Sequence, residues 1–304
     1  MVEASPTISI VTPVLNRRNL IETSLSSVRE QGGNAYEHLV VDGGSTDGTR
    51  DVISSDATAR LIDAPGSSLY EAINIGIRQA SGRIICLLNS DDTLAPGALQ
   101  AVTTASASNP TADIIRGCAF VTNADATDIP QPVAPASFDL TGILFGAANI
   151  NACFMARDLF ERIGLFDTSL RISADREWLL RAHLTDPEVV CIDKVLYIYM
   201  AHAESLTIGG GKAAELEWVG EHLTFARRYL SNDVISPLAR KHLERFHGKE
   251  VLHAAMLSAQ AGDVRACLSA LTRGFGTRPA WPLDCIVPLY HILEKYVAAG
   301  SRSC

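Results

Sequence analysis

Over its first 120 residues the chain alternates short apolar runs with stretches of helical spacing, and that alternation restricts the folds open to it. Ile8–Val11 is followed by Leu20, Ile21, Leu25 and Val28, which line one side of a helix. His38–Val41 precedes a polar loop and a helical turn over Thr49–Ser55. A short strand over Arg60–Ile62 leads into a helix over Tyr70–Ala80, and Ile84–Leu88 is apolar throughout, as a strand buried on both faces requires. Asp113–Val121 reads as a further strand. Strand–helix alternation of this kind predicts an α/β fold with a mostly parallel sheet flanked by helices.

Residues 122–148, rich in Ala, Pro, Asp and Gly, read as an irregular loop, after which Leu159–Ile163 and Asp175–His183 are helical and Val189–Met200 is extended. From Lys212 the pattern is helical, with a second helix over Glu250–Leu271. The run Gly209-Gly210-Gly211 suggests a hinge, so we expect a catalytic domain over 1–211 and a helical C-terminal region over 212–304. The two parts differ in charge: 14 Lys/Arg against 25 Asp/Glu over 1–211, and 12 against 9 beyond. An acidic first part argues against nucleic acid as partner. The basic tail suggests peripheral contact with an anionic membrane surface, or a homodimer. No apolar run approaches the roughly 20 residues of a membrane-spanning helix. With neither such a run nor a secretory leader, a cytoplasmic location is expected. Seven scattered cysteines without metal-ligand spacing read as reduced core thiols.

Polar residues collect where the predicted strands end, which is where open α/β sheets bind ligands. The first run ends in Thr12-Pro13-Val14-Leu15-Asn16, the second in Asp42 and Gly-Gly-Ser-Thr-Asp-Gly-Thr, and the third in Asn89-Ser90-Asp91-Asp92. A turn former or helix cap is the plainer alternative for Asp42 or Asp92 alone. Three polar strand ends together are harder to assign to turns.

The segments VTPVLNR, VVDGGSTDGT, SLYEAINIGIRQASGRIICLLNSDD and RISADREWLLRA resemble the signature blocks of family-2 glycosyltransferases, which have the GT-A fold. They follow in family order across roughly residues 6–205, and the Asn-Ser-Asp-Asp ending is similar to bacterial polysaccharide-assembly members. The resemblance implies an inverting transferase that passes a sugar from a nucleotide-diphosphate sugar, UDP- or TDP-type, to a carbohydrate or lipid-linked acceptor hydroxyl. It places Pro13, Leu15, Asp42 and Ser90 at the nucleotide, with Asp42 accepting from a base N–H. It implies a divalent cation, Mn²⁺ or Mg²⁺, held by Asp91 with help from Asp92. His202, in a His-x-x-Ser element with Ser205, would reach the metal or phosphates. Asn89 stands where the family's Asp-x-Asp pattern begins, so Asp91 is the main anchor. Asp175 matches the catalytic base, with Glu177 as the neighbouring carboxylate and a helix-cap role as the alternative.

Arg157 is a candidate for acceptor or phosphate contact or for a surface ion pair. Asn74 and Gly76 would bring their helix close to the donor, unless Asn74 is a buried polar anchor. Trp178 is expected in the core, with stacking on a sugar as the alternative. A nicotinamide oxidoreductase would need a Gly-x-Gly-x-x-Gly turn after the first strand, which is missing. A sugar nucleotidyltransferase would want a Gly- and Lys/Arg-rich loop there, and only Arg17-Arg18 is available. A noncatalytic nucleotide-sugar-binding scaffold is the remaining alternative, although it does not account for Asp175 in its block.

Overall fold

The structure, a computed structural model, describes residues 7–33, 36–123, 131–133, 137–146, 150–201, 211–232 and 234–277. His202, Ser205, the glycine run at 209–210 and Trp281 lie outside the described residues. Two compact units divide the chain, residues 1–203 and 204–304.

In the first unit the elements run in the order β1 (Ile8–Val14), α1 (Ile21–Arg29), β2 (Tyr36–Asp42), α2 (Thr49–Ser54), β3 (Ala59–Asp63), α3 (Leu69–Gln79) and β4 (Ile84–Leu87). Then follow β5 (Thr93–Leu94), α4 (Ala98–Ser108), β6 (Ile114–Asn123), β7 (Gln131–Val133) and α5 (Leu140–Phe145). A 3-10 turn at Ile150–Ala152, β8 (Cys153–Ala156), α6 (Arg157–Ile163), α7 (Ala174–His183) and β9 (Val189–Ala201) complete it. The strands form one sheet in the order β3-β2-β1-β4-β8-β6-β9-β5, with β7 on β6. The first four are mutually parallel, as the alternation predicts, while β8 runs antiparallel to both β4 and β6. The loop expected over 122–148 contains β7 and α5.

The chain leaves β1 in one direction to build β2 and β3, then crosses back to place β4 on the other side of β1. This reversal is a topological switch point, and it opens a crevice at the carboxyl ends of β1 and β4. Both faces of β1 are covered. Ile8 and Ile10 join a core cluster with Val28, Leu99, Val102 and Phe154, while Val11 meets α3 on the opposite face.

Gly76 is the reason α3 can lie so close. A Cβ there would fall 2.4 Å from Val11 Cγ1 and 3.1 Å from Val41 Cγ2. Its role is therefore packing against the strands, not approach to the donor. Gly76→Ala should cost about 1–3 kcal/mol through overpacking. Thermal melting checks this, with a fall of about 2–4 °C expected for each kcal/mol in a unit of this size.

In the second unit, α8 (Gly211–Leu230) and α9 (Pro237–Gln260) are followed by α10 (Val264–Thr277). The single helix expected over 250–271 is two helices, because Gly262 takes φ 77° and turns the chain between them. Phe225 and Phe246 stack at 5.7 Å in the core of this unit. Along α8 Leu216 is exposed, whereas Val219, Phe225 and Ala226 are buried. Trp218 lies 5.0 Å from His222 and 5.3 Å from His253. Both histidines surround the fully buried Glu250, which Lys249 meets at 2.8 Å. No described helix is long and apolar enough to cross a membrane.

Candidate active site

The loops after β1, β2 and β3 are joined by main-chain bonds at the carboxyl edge of the sheet. Gly43 N–H donates to Val14 O, Ala64 N–H to Asp42 O and Gly66 N–H to Gly43 O, each at 2.9 Å. Side chains tighten the joint. Asn16, at φ 52°, accepts from Thr46 N–H at 2.9 Å, and its own N–H donates to Ser45 Oγ at 2.8 Å. Arg17 N–H donates to Thr49 Oγ1 at 2.8 Å. On this platform Leu15 is half exposed, and its Cδ1 lies 3.6 Å from the Cβ position of Gly43. Pro13 is buried within β1 opposite Val41, leaving Leu15 as the surface of the pair.

Asp42 ends β2 fully buried. It accepts from Ser45 Oγ at 2.5 Å, Gly44 N–H at 3.2 Å, Ser45 N–H and Arg50 Nη1 at 2.8 Å. Burial alone would push its carboxyl up, but these donors together bring it below the ordinary range. The expected bond to a base N–H therefore requires Arg50 to let go. Arg50 has a second partner ready in Asp63, at the end of β3 and 2.5 Å away.

At the end of β4, Ser90 is buried and Asp91 half-buried. Asp92 turns inward, where Oδ2 accepts from Tyr197 Oη at 2.7 Å and Asn89 Nδ2 at 2.9 Å, and Oδ1 from Met200 N–H at 2.8 Å. Burial pushes its carboxyl up to about 6. Asp92 is followed by β5 and not by a helix, so it is no helix cap either. Its place is that of a clamp between the 89–92 turn and β9. Tyr197 extends the clamp by taking hydrogen bonds from Asn89 N–H at 3.1 Å and Asn151 Nδ2 at 3.2 Å.

Asp175 is the second residue of α7, two beyond the cap position held by Ser173. Its Oδ1 accepts from Arg176 N–H at 2.7 Å. Burial raises its carboxyl above the usual range, against the Arg176 charge and hydrogen bonds from Arg176 N–H and Tyr70. Tyr199 on β9 feels the charges of both Asp92 and Asp175, which raise its hydroxyl beyond what burial does.

Glu177 faces the other way. It is buried and holds Arg181 at 2.8 and 3.2 Å, while Arg181 also bonds the carbonyls of Ile163 and Leu165. Arg157 bonds Ala80 O at 3.1 Å, near the amino end of β4 and remote from the strand ends. Asn74 is a buried anchor: it donates to Phe166 O at 2.9 Å and accepts from Phe166 N–H at 3.0 Å. Trp178 is fully buried, stacked 4.5 Å from Phe160, and bonds Gly164 O through Nε1.

Residues 9–155 match the family model described as glycosyl transferase family 2. The uncharacterized glycosyltransferase MT1564 of Mycobacterium tuberculosis is 31% identical over 189 residues, which span 60% of this chain and 70% of that one. The chain belongs to glycosyl transferase family 2. Its fold is the one seen in S. aureus TarS, at a TM-score of 0.67 and 16% identity over 91% of this chain, and it spans 52% of that protein. A shorter TarS structure, residues 1–349 in complex with UDP-GlcNAc, matches at a TM-score of 0.67 and 15% identity, with 96% of this chain and 92% of that one covered. The mannosyltransferase PcManGT of Pyrobaculum calidifontis, in complex with GDP-Man and Mn²⁺, matches at 0.57 and 18% identity, over 95% of this chain and 86% of that one. The fold is thus of the GT-A type, and the chain is a glycosyltransferase.

The sequence reading passed over Tyr70, Arg50, Tyr197 and Tyr199. Only Tyr70 carried a local signal: Ser68-x-x-Glu71 marks a helix start, and Ser68 N–H and Oγ both donate to Glu71 at 2.8 Å.

Proposed function

We propose that the chain transfers a sugar, with inversion, from a nucleotide-diphosphate sugar of UDP or TDP type to an acceptor hydroxyl in bacterial surface polysaccharide assembly. The observation that carries this reading is a carboxylate at the start of α7, Asp175, whose charge reaches the same Tyr199 as that of Asp92 in the β4 turn. In this reading Leu15 and Gly43 make the apolar floor under the base, and Asp42 holds the 43–49 loop around it. Asp42 reaches a base N–H as Arg50 passes to Asp63.

Among the described residues no three His, Cys, Asp or Glu side chains gather as a metal cage. A cation held by one carboxylate together with substrate phosphates is the usual habit of Mg²⁺ and open to Mn²⁺. Asp91 is the residue that would hold it. A divalent cation there would neutralise charge developing on the departing diphosphate.

Asp175 then takes the proton of the acceptor hydroxyl as its oxygen attacks the anomeric carbon. The new carbon–oxygen bond forms on the face opposite the bond to the diphosphate, which breaks. A carboxylate whose pKa is raised by burial is a stronger proton acceptor than an ordinary aspartate. A sugar nucleotidyltransferase would need a triphosphate cradle, and no glycine follows β1 before the β1–α1 turn is complete.

Purified protein should hydrolyse or transfer from one member of a nucleotide-sugar panel with Mn²⁺ or Mg²⁺. The new linkage should show the anomeric configuration opposite to the donor's by NMR. A retained configuration rules out the single displacement, and binding without any turnover points to a scaffold.

A further inference from the structure

The first-turn N–H groups of a helix have no partners within it, and a side chain at the cap usually supplies one. Ser173 caps α7 by position, but its side chain makes no capping bond. The bond comes instead from Tyr70, 105 residues earlier in the chain, whose hydroxyl oxygen accepts from Asp175 N–H at 3.4 Å. The same hydroxyl donates to Ile172 O at 3.0 Å, so it grips the chain on both sides of the helix start.

The phenol ring is itself held. Tyr70 is buried, its ring 5.5 Å from Phe166, which lies 5.9 Å from Phe160 and 5.6 Å from Trp178. Trp178 belongs to α7, so the ring of Tyr70 reaches that helix through Phe166 while its hydroxyl bonds the first turn directly. At its other end Tyr70 sits in the first turn of α3, which Ser68 and Glu71 fix.

We propose that Tyr70 is a positioning residue for the transfer reaction: its hydroxyl fixes the first turn of α7, and with it the aim of the Asp175 carboxylate. This rests on the reading of Asp175 as the base. A base must be held within about 0.5 Å and 10–20° of its productive geometry, and a helix start without a side-chain cap does not do that alone.

Among the described residues, Arg176, Tyr70 and Tyr199 act on Asp175. Arg176 is on its own helix, with its guanidinium engaged by the carbonyls of Ile143, Leu144 and Gly146. Tyr70 approaches from α3 and Tyr199 from β9. Burial raises the Asp175 carboxyl most, and Arg176 and the Tyr70 hydroxyl oppose it. The hydroxyl has one proton, shared between Ile172 O and the Asp175 carboxylate, so losing it takes a donor from the carboxyl, raises it further and moves the acid limb of kcat/KM to higher pH.

The test is Tyr70→Phe, which keeps the ring against Phe166. A lost hydrogen bond corresponds to a fall in plateau kcat of about 3–10-fold. That fall should come with an acid limb displaced upward and a donor KM near wild type. Fluorotyrosine at position 70 makes the hydroxyl a stronger donor and should move the limb the other way. Tyr70→Phe with a lower melting temperature but an unmoved limb and normal plateau kcat would reduce Tyr70 to packing and overturn the proposal. If Tyr70→Phe does not fold, the fluorotyrosine protein decides, since its limb must move downward for the proposal to stand. Asp175→Asn on the same preparations separates the two ideas. A slow Asp175→Asn beside an unshifted Tyr70→Phe removes the Tyr70 role alone, and a fast Asp175→Asn removes the base reading and this proposal with it.

Discussion

Asp175→Asn should lower kcat by about 10²–10⁴-fold, the usual worth of general-base catalysis. Asparagine keeps the size of the side chain and can still accept from Arg176 N–H through Oδ1, but it cannot take the acceptor proton. Stability should not suffer. Because burial raises the Asp175 carboxyl, the folded protein binds its proton more tightly than the unfolded chain. Stability is then lost as pH rises through the unfolded and on to the folded pKa, so at neutral pH the ionised form is a strain on the fold. Replacing it by a neutral amide should leave the melting temperature level or raise it. A cap role would not be exposed by this variant, since Asn caps about as well as Asp, and Asp175 is not at the cap. In wild type, kcat/KM should fall on the acid side at a pH above the ordinary aspartate value of about 3.9, since only the ionised base works. Steady-state kinetics across pH, with melting curves on the same samples, check all of this. A variant with near-normal kcat would take the base out of α7 altogether, because Glu177 is committed to Arg181.

What the sequence conveyed was local. Ile84–Leu88 could be read as a doubly covered strand because burial on both faces leaves no room for alternation, and its end fixed the place of Asp91. Glu177 could have been set aside from sequence, since Arg181 follows it at helical i, i+4 spacing. The break between α9 and α10 was likewise written at Gly262-Asp263. Asp92 was not legible. Its partners Tyr197 and Met200 lie 105 and 108 residues away on a strand that no local pattern pairs with the β4 turn. Asn74 and Phe166, 92 residues apart, are a similar case. Asp42 fell between the two: its strand end was evident, but its saturation by Ser45, Gly44 and Arg50 depends on how the loop folds back. Residue type and strand position thus revealed where carboxylates gather, whereas the bonds that hold Asp92 and Asn74 depend on segments far away in the chain.

That distinction sets the expectation for the β4 turn. Asp91→Ala should abolish metal-dependent binding of the nucleotide diphosphate, whereas Asp92 acts through the fold. Loss of an outer-shell partner alone typically lowers metal affinity by about 10–100-fold, so deleting the carboxylate proposed to hold the cation should cost at least that. The effect should fall chiefly on binding, because Asp91 is half-buried at the end of its strand while Asp92 and Asn89 tie the turn inward. Calorimetric titration of UDP with Mn²⁺, with Mg²⁺ and with EDTA measures it. Wild type should bind tightly only with metal, and Asp91→Ala should bind at the EDTA level under all three conditions with an unchanged melting temperature. Asp92→Ala should instead melt lower, since it leaves the buried Tyr197 hydroxyl and Asn89 amide without their carboxylate, at about 1–3 kcal/mol for an unsatisfied buried group. Wild-type UDP affinity that is the same with and without EDTA would overturn the metal assignment. Equal losses of binding in the two variants, at equal stability, would return Asp92 to the ligand set.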